Sequence, residues 1–369
     1  MALTPRIDKF EIIISNQCNL RCKYCFVEKA SKIMTLENVK KACDFINAYP
    51  SVTKECKVAL FGGECLMNFD LVKECVLRLN KSFIIILYTN AILLDKEKLH
   101  WLAQFPNVTY NFSLDGDKYA HDKNRVYPDG RGSFDDVVAR LKDYSEVYKT
   151  PLGRLGCKSV VAPDSFDGLM STLKNIEEVP CYLSYCLARD PNTWEMDKMD
   201  YYEERLNEIA DYYIEHFDDI EDKFDLFAWQ IEVASYPRDY SCSAAKAEQL
   251  TIAPDLTLYP CAYFLSHDRK YALGTVDTGI VNYEAFENIR SSKMSTTPEC
   301  QKCELYIHKT CLGMCPGAVA AYSGGPLDTV IPEVCEIYKV LRRVSFRVHE
   351  TLRTKPNYLK IFTRQLNHV

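Results

Sequence analysis

Residues 9–26 read KFEIIISNQCNLRCKYCF. An apolar, β-rich run, KFEIIIS (9–15), leads into a loop that sets Cys18, Cys22 and Cys25 at C-x3-C-x2-C spacing. Three thiolates this close can each hold one iron of a cubane four-iron cluster, and with no fourth cysteine in the loop one iron keeps an open position. A zinc site would want a fourth protein ligand nearby, yet the first histidine of the chain is His100.

Outward from this loop the chain alternates between two periodicities. MTLENVKKACDFINAY (34–49) carries Leu36, Val39, Cys43 and Ile46 at helical spacing, with Thr35 as N-cap. Strand patterns follow at 57–61, 83–89, 108–114, 157–162 and 181–187, and helical patterns at 69–79, 95–104, 134–144, 165–177 and 201–217. Six strand-helix units in succession indicate an α/β fold with a parallel sheet covered by helices, either doubly wound or curved into a partial barrel. After about residue 235 the apolar runs shorten, turns multiply, and seven cysteines appear before residue 336. The expected division is therefore 1–235 and 236–369, the second part being a metal-stapled module. It ends in VCEIYKVLRRVSFRVHETL (334–352), an amphipathic helix expected to pack back on the first part.

Composition narrows the function classes. The 369 residues are 47% hydrophobic and 26% charged, as in a globular chain with a sizeable core. Net charge is -6 and no Lys/Arg block interleaves with aromatics, so a nucleic-acid partner is not expected; a small-molecule or peptide substrate fits better. The N-terminus, MALTPRIDKF, has no signal-peptide core and no run reaches membrane-span length, so the expected setting is the cytoplasm, with no membrane partner. In a reducing compartment 17 cysteines read as metal ligands and core residues, not disulfides. Cys43, Cys75 and Cys157 fall within helix or strand patterns and read as core.

The C-x3-C-x2-C loop, with Tyr24 before its third cysteine and Phe26 after it, resembles the radical SAM superfamily. That resemblance implies a cluster whose open iron is chelated by S-adenosylmethionine, reductive cleavage to a 5'-deoxyadenosyl radical, and hydrogen abstraction from substrate, with the electron supplied by an external donor such as flavodoxin or ferredoxin. LFGGECL resembles the family's Gly-Gly-Glu motif, which implies that the backbone at Gly62, Gly63 and Glu64 lies against the methionine amino group. Cys65 stands where the family commonly has proline and reads as a packing residue. FSLDGDKYAHDKNR (112–125) resembles the next signature; by that likeness Ser113 and Arg125 contact S-adenosylmethionine, while His121 and Asp122 are structural. Ala91 replaces the glycine of the usual Thr-Asn-Gly turn, so a different loop shape is expected there. Leu187 aligns with an apolar residue that packs on adenine in relatives.

Downstream, Cys242, Cys261, Cys300, Cys303, Cys311, Cys315 and Cys335 resemble the SPASM extension of peptide-modifying radical SAM enzymes, which implies two auxiliary four-iron clusters, three in all. Leu256 replaces a usual glycine and the Cys303 to Cys311 gap is long. Ligand topology in relatives assigns Cys300, Cys303, Cys311 and Cys335 to an outer cluster, and Cys242, Cys261 and Cys315 to an inner one that lacks a fourth thiolate. Only Glu248 lies where some relatives have another cysteine; the open position suits a substrate thiolate, water or a distal protein ligand. The expected function is a maturase that joins a cysteine sulfur to carbon, or carbon to carbon, in a ribosomally made peptide. Formylglycine formation on a sulfatase is the alternative, weakened because Ala262 stands where such enzymes have an aspartate base after the second cysteine. An iron-sulfur electron carrier and a zinc-stapled binding protein are the non-enzyme readings. No side chain is identified as the general base.

Overall fold

The structure, a computed structural model, describes residues 5–358 apart from 30, 51, 221–222, 228–229, 231–242, 245, 247, 267–268, 292–296, 308–310 and 312. Cys242 and the expected boundary near residue 235 lie outside the described residues.

The chain opens β1 (Ile7–Ser15), α1 (Leu36–Ala48), β2 (Val52–Gly62), α2 (Phe69–Arg78), β3 (Ile84–Thr89), α3 (Lys96–Leu102) and β4 (Val108–Ser113). It continues α4 (Lys118–Asn124), α5 (Phe134–Tyr148), β5 (Gly156–Val161), α6 (Phe166–Lys174), β6 (Tyr182–Leu187), α7 (Met199–Glu215), α8 (Phe217–Ile220) and β7 (Phe224–Asp225). The helix starts follow local chemistry: Thr35 Oγ1 accepts from the Asn38 N–H at 3.1 Å, as its N-cap position requires.

Strands β1 to β7 pair in sequence order, all parallel. A doubly wound sheet reverses its order at a switch point; this one does not, and the partial-barrel alternative is the one realised. The C-terminal ends of its strands, at Ser15, Gly62, Thr89, Ser113 and Leu187, share one edge, where barrels of this kind carry their chemistry.

The chain after residue 242 is bound into the same sheet. β8 (Gln249–Ile252) lies parallel beside β1, in register from Lys9 with Gln249 to Ile12 with Ile252. β9 (Thr257–Tyr259), β10 (Gly274–Thr275) and β11 (Gly279–Ile280) then extend it antiparallel. Short helices α9 (Tyr283–Ser291), α10 (Pro298–Lys302), α11 (Glu304–Ile307) and α12 (Pro316–Tyr322) precede the long α13 (Pro332–Leu352). As expected, α13 packs back on the first part, against α7. Its buried Ile337, Leu341 and Val344 share one apolar core with Leu206, Ile12 and Leu60.

Helix α4 was among the elements not expected. Residues 118–124 form α4, capped by Asp117, whose Oδ1 accepts from Ala120 N–H at 2.9 Å. Gly116 (φ 140°) precedes it, and a Cβ there would stand 2.2 Å from Thr172 Oγ1.

Candidate active site

The cysteine loop leaves the end of β1 and is held by backbone bonds to the segment after α4. Arg21 N–H donates to Val126 O at 2.7 Å and Lys23 N–H to Asn124 O at 3.1 Å. Cys18, Cys22 and Cys25 are all half-buried. Burial pushes the Cys22 thiol up to about 11; Arg125 opposes the shift, and Cys25, Asp115 and Cys18 add to it. Lys29 Nζ lies 3.0 Å from Cys25 Sγ. Among the described residues no three His, Cys, Asp or Glu side chains stand at the spacing of a single bound ion. A cubane takes one thiolate per iron, so it needs thiols that are neighbours without converging on one point. The three cysteines fit that requirement.

Gly62 and Gly63 dock β2 against this loop. Gly63 N–H donates to Ser15 O and Glu64 N–H to Gln17 O, both at 2.7 Å. A Cβ on Gly62 would lie 2.1 Å from Ser15 O, and one on Gly63 2.1 Å from Gln17 O. The glycines thus brace the cysteine loop, a role the motif alone did not disclose. Glu64 is buried at 1% exposure. Its carboxylate accepts from Leu66 N–H (3.1 Å), Thr89 Oγ1 (2.9 Å) and Asn90 N–H (2.8 Å), tying the ends of β2 and β3 together. Burial raises its pKa against those hydrogen bonds. Cys65 is fully buried with Sγ 3.5 Å from Tyr88 O, a packing position as expected.

Asn90 Nδ2 donates to Asn19 Oδ1 at 2.8 Å, so the next turn also supports the loop. The expectation of an altered shape at Ala91 is not met in its backbone sign: Ala91 has φ 68°, the left-handed region that glycine favours. Leu256, the other residue in place of a glycine, has φ 67°. Each costs about 1–2 kcal/mol of backbone strain that glycine would avoid.

Tyr24 donates its hydroxyl to Asp115 Oδ2, and Arg125 Nε lies 3.0 Å from Asp115 Oδ1. The Arg125 guanidinium also stands 5.5 Å from the Tyr24 ring centre. Burial pulls the Arg125 pKa down, but Asp115, Tyr24 and Cys22 outweigh it and hold it above its ordinary value. Arg125 therefore has a resident counter-ion beside the cysteine loop. His121, buried, places Nε2 2.9 Å from Ser133 Oγ, and burial lowers its pKa well below the usual value. Asp122 Oδ1 accepts from Phe134 N–H at 2.8 Å, at the start of α5. Ser113 ends β4, half-buried. At the end of β6, alternation turns Leu187 (2% exposed) into the core and Cys186 into a cavity, so Cys186 is the cavity-facing residue that sequence reasoning missed.

That cavity, about 750 Å³, is lined by Cys186, Cys261, Cys300, Cys303, Cys311, Cys315 and Cys335, with Phe26 and Phe61 from the barrel side. Burial pushes the Cys335 thiol up to about 11; Lys339 opposes, and Cys311, Cys300 and Cys303 add to the rise, so Cys335 stands near each of these three. Cys261 and Cys315 form a second grouping: a Cβ on Gly317, two residues past Cys315, would lie 3.1 Å from Cys261 Sγ. Thiols gathered in one cavity fit iron-sulfur ligation. Tyr263 stacks on Phe26 (centroids 4.0 Å) and Phe26 on Phe61 (6.1 Å), joining the C-terminal cysteines to the first loop. Arg189, just past β6, places Nη1 3.4 Å from Cys315 Sγ and its guanidinium 5.6 Å from the Tyr263 ring centre. The signal that could have found Cys186 and Arg189 was their place at a parallel strand's C-terminal end.

Residues 12–156 match the radical SAM superfamily. The chain is 24% identical, over 92% of its length and 74% of the relative's, to the radical SAM cyclopropyl synthase TigE of Paramaledivibacter caminithermalis. It is 24% identical to a cysteine-type anaerobic sulfatase-maturating enzyme of Clostridium novyi, covering 79% of this chain and 83% of that one. The structure of anSMEcpe with bound AdoMet and Cp18Cys peptide superposes with a TM-score of 0.69 at 22% identity, covering 94% of this chain and 98% of that one; it shows the shared fold.

Proposed function

Starting from the radical SAM domain that this chain carries, we propose that the protein is a peptide maturase that oxidatively modifies a ribosomally made peptide through a thioether or carbon-carbon cross-link. The observation that carries the reading is the single cavity in which the C-terminal cysteines face the strand ends of the barrel. Its relatives by sequence support a peptide or protein substrate. The functional division remains a barrel, 1–235, and an auxiliary module, 236–369.

Cys18, Cys22 and Cys25 would hold the first four-iron cluster, and Cys300, Cys303, Cys311 and Cys335 an outer auxiliary one. Cys242, Cys261 and Cys315 would hold an inner one. When bound, the first cluster supplies the electron that cleaves S-adenosylmethionine to a hydrogen-abstracting radical. Tyr24, Gly62, Gly63, Glu64, Ser113 and Arg125 shape its pocket, with Leu187 behind it. Glu64 and Asn90 fix the loop, and the Asp115–Arg125 pair anchors Tyr24 so that the cysteines are presented in one arrangement. The aromatic stack of Phe61, Phe26 and Tyr263 bridges the two cysteine regions. The electron donor is an external flavodoxin or ferredoxin, and the setting cytoplasmic, without nucleic acid or membrane partner. No helix among the described residues is long and apolar enough to cross a membrane.

Formylglycine formation remains the second reading because a sulfatase-maturating enzyme is among the relatives. Against it, Ala262 lines the cavity beside Cys261 where that chemistry would want a carboxylate base. The test is anaerobic turnover with short peptides encoded beside the gene and, separately, a sulfatase-derived cysteine peptide. Loss of two hydrogens with a new cross-link by mass spectrometry supports the maturase; conversion of the sulfatase peptide alone reverses the ranking. Cys18→Ala, Cys22→Ala or Cys25→Ala should abolish 5'-deoxyadenosine formation. Cys315→Ala should keep part of that cleavage and lose product, and full product from it removes the auxiliary-cluster reading.

A further inference from the structure

Arg189 is a half-buried cation whose neighbours are the wrong kind for it. Guanidinium does not give up its proton in a protein, and a buried charge must be compensated or it costs several kcal/mol. Arg125, by contrast, lies 3.0 Å from Asp115. Arg189 has no carboxylate partner among the described residues. Its own neighbour, Asp190, accepts from Asn192 N–H and Nδ2, both at 3.0 Å. Arg189 meets Cys315 Sγ at 3.4 Å, the face of Tyr263 at 5.6 Å and the Tyr338 hydroxyl, with Cys186 also nearby. Of these Cys315 is the one within hydrogen-bond reach that would carry a full negative charge, as a metal-bound thiolate.

We propose that Arg189 is the positioning residue and counter-charge of the inner auxiliary cluster: it pairs with the Cys315 thiolate and holds that cluster's reduction potential up. The inference rests on the reading that Cys315 ligates this cluster. A fixed positive charge favours the more negative, reduced state, and cluster potentials respond to net charge and to hydrogen bonds at the ligand sulfurs. The placement suits an electron acceptor. Arg189 extends from the end of β6, and Tyr263, over which it lies, stacks at 4.0 Å on Phe26, the residue after Cys25. The inner cluster would thus be tuned upward on the side that faces the first cysteine loop.

The experiment uses the full, iron-loaded chain under anaerobic conditions with the first cluster silenced by Cys22→Ala, so that only auxiliary signals remain. Iron content and EPR-monitored redox titration are compared among that background, Arg189→Gln, Arg189→Lys and Cys315→Ala. Expected is an unchanged iron content with a negative shift of one midpoint in Arg189→Gln, and a midpoint close to the background in Arg189→Lys. Loss of the inner signal in Arg189→Gln but not in Arg189→Lys also supports the counter-charge. An unchanged midpoint in Arg189→Gln overturns the inference, as does an equal shift or an equal loss of signal in both Arg189 variants, which would mark a role in shape alone. If Cys315→Ala leaves iron and spectrum as they were, the ligand reading itself falls and takes the inference with it.

Discussion

At Gly63 the backbone leaves no room for a methyl group, because a Cβ would sit 2.1 Å from Gln17 O, one residue before Cys18. Gly63→Ala must therefore push the cysteine loop away from β2. Strain of about 1–3 kcal/mol is expected, together with loss of bound iron and of 5'-deoxyadenosine formation; iron assay and product quantitation check it, and a variant with full iron refutes the bracing role. The Asp115–Arg125 pair is a different case, since Arg125 is 7% and Asp115 4% exposed. Asp115→Asn leaves a buried guanidinium uncompensated and unseats Tyr24. The expected cost is about 3–5 kcal/mol, read from urea denaturation. The exposed Lys23–Asp164 pair, 3.5 Å apart, offers the contrast: breaking it should cost no more than about 1 kcal/mol.

Among the elements, α13 shows which interactions hold the C-terminal part to the barrel. It is flanked by ion pairs to α7, Arg343 with Glu203 at 2.5 Å and Arg347 with Asp211 at 2.6 Å. The Arg343 side chain is 50% exposed, so solvent screens its pair. Ile337, fully buried, instead contributes apolar surface to the main core. Ile337→Ala is expected to destabilise by about 2–5 kcal/mol, and Arg343→Ala by at most about 1 kcal/mol. Comparable losses in chemical denaturation would mean that the helix is held by charge. The same weighing explains why helical periodicity predicted α13 while α4 was missed. KYAHDKN carries little apolar pattern, and its helix rests on the Asp117 cap and on contacts with α6.

At the scale of the molecule, cysteines from β6 to α13 meet in one cavity, and the helices between α9 and α13 are short. α10, α11 and α12 hold 5, 4 and 7 residues, too few to be stable on their own. Metal binding to such segments is folding free energy. Stripping iron under anaerobic conditions should accelerate hydrogen exchange in α10 to α12 while β1 to β4 stay protected. Uniform exchange across the chain, or unchanged protection of α10 to α12, would show that the clusters do not staple this part.

How much of this was legible follows from the range of each interaction. The cysteine loop, the strand-helix alternation, the Thr35 cap and the buried Cys65 were readable because spacing and periodicity act over a few residues. The pairing of β8 with β1 was not, because it joins residues some 240 positions apart, Glu11 with Thr251, and no local pattern specifies a distant partner. Nor did sequence order show that Glu64 braces the first loop, that Tyr263 stacks on Phe26, or that Cys186 and not Leu187 faces the cavity. By itself, then, the sequence determined the chemistry on offer: three thiols at cluster spacing after the first strand and a second, larger thiol set far downstream. Only the tertiary structure decided which thiols are neighbours, drawing Cys335 to Cys300, Cys303 and Cys311 and setting Arg189 against Cys315. The physical reason is that the sheet's strand order, set by long-range packing, brings the end of β6 and the start of α13 to the same cavity.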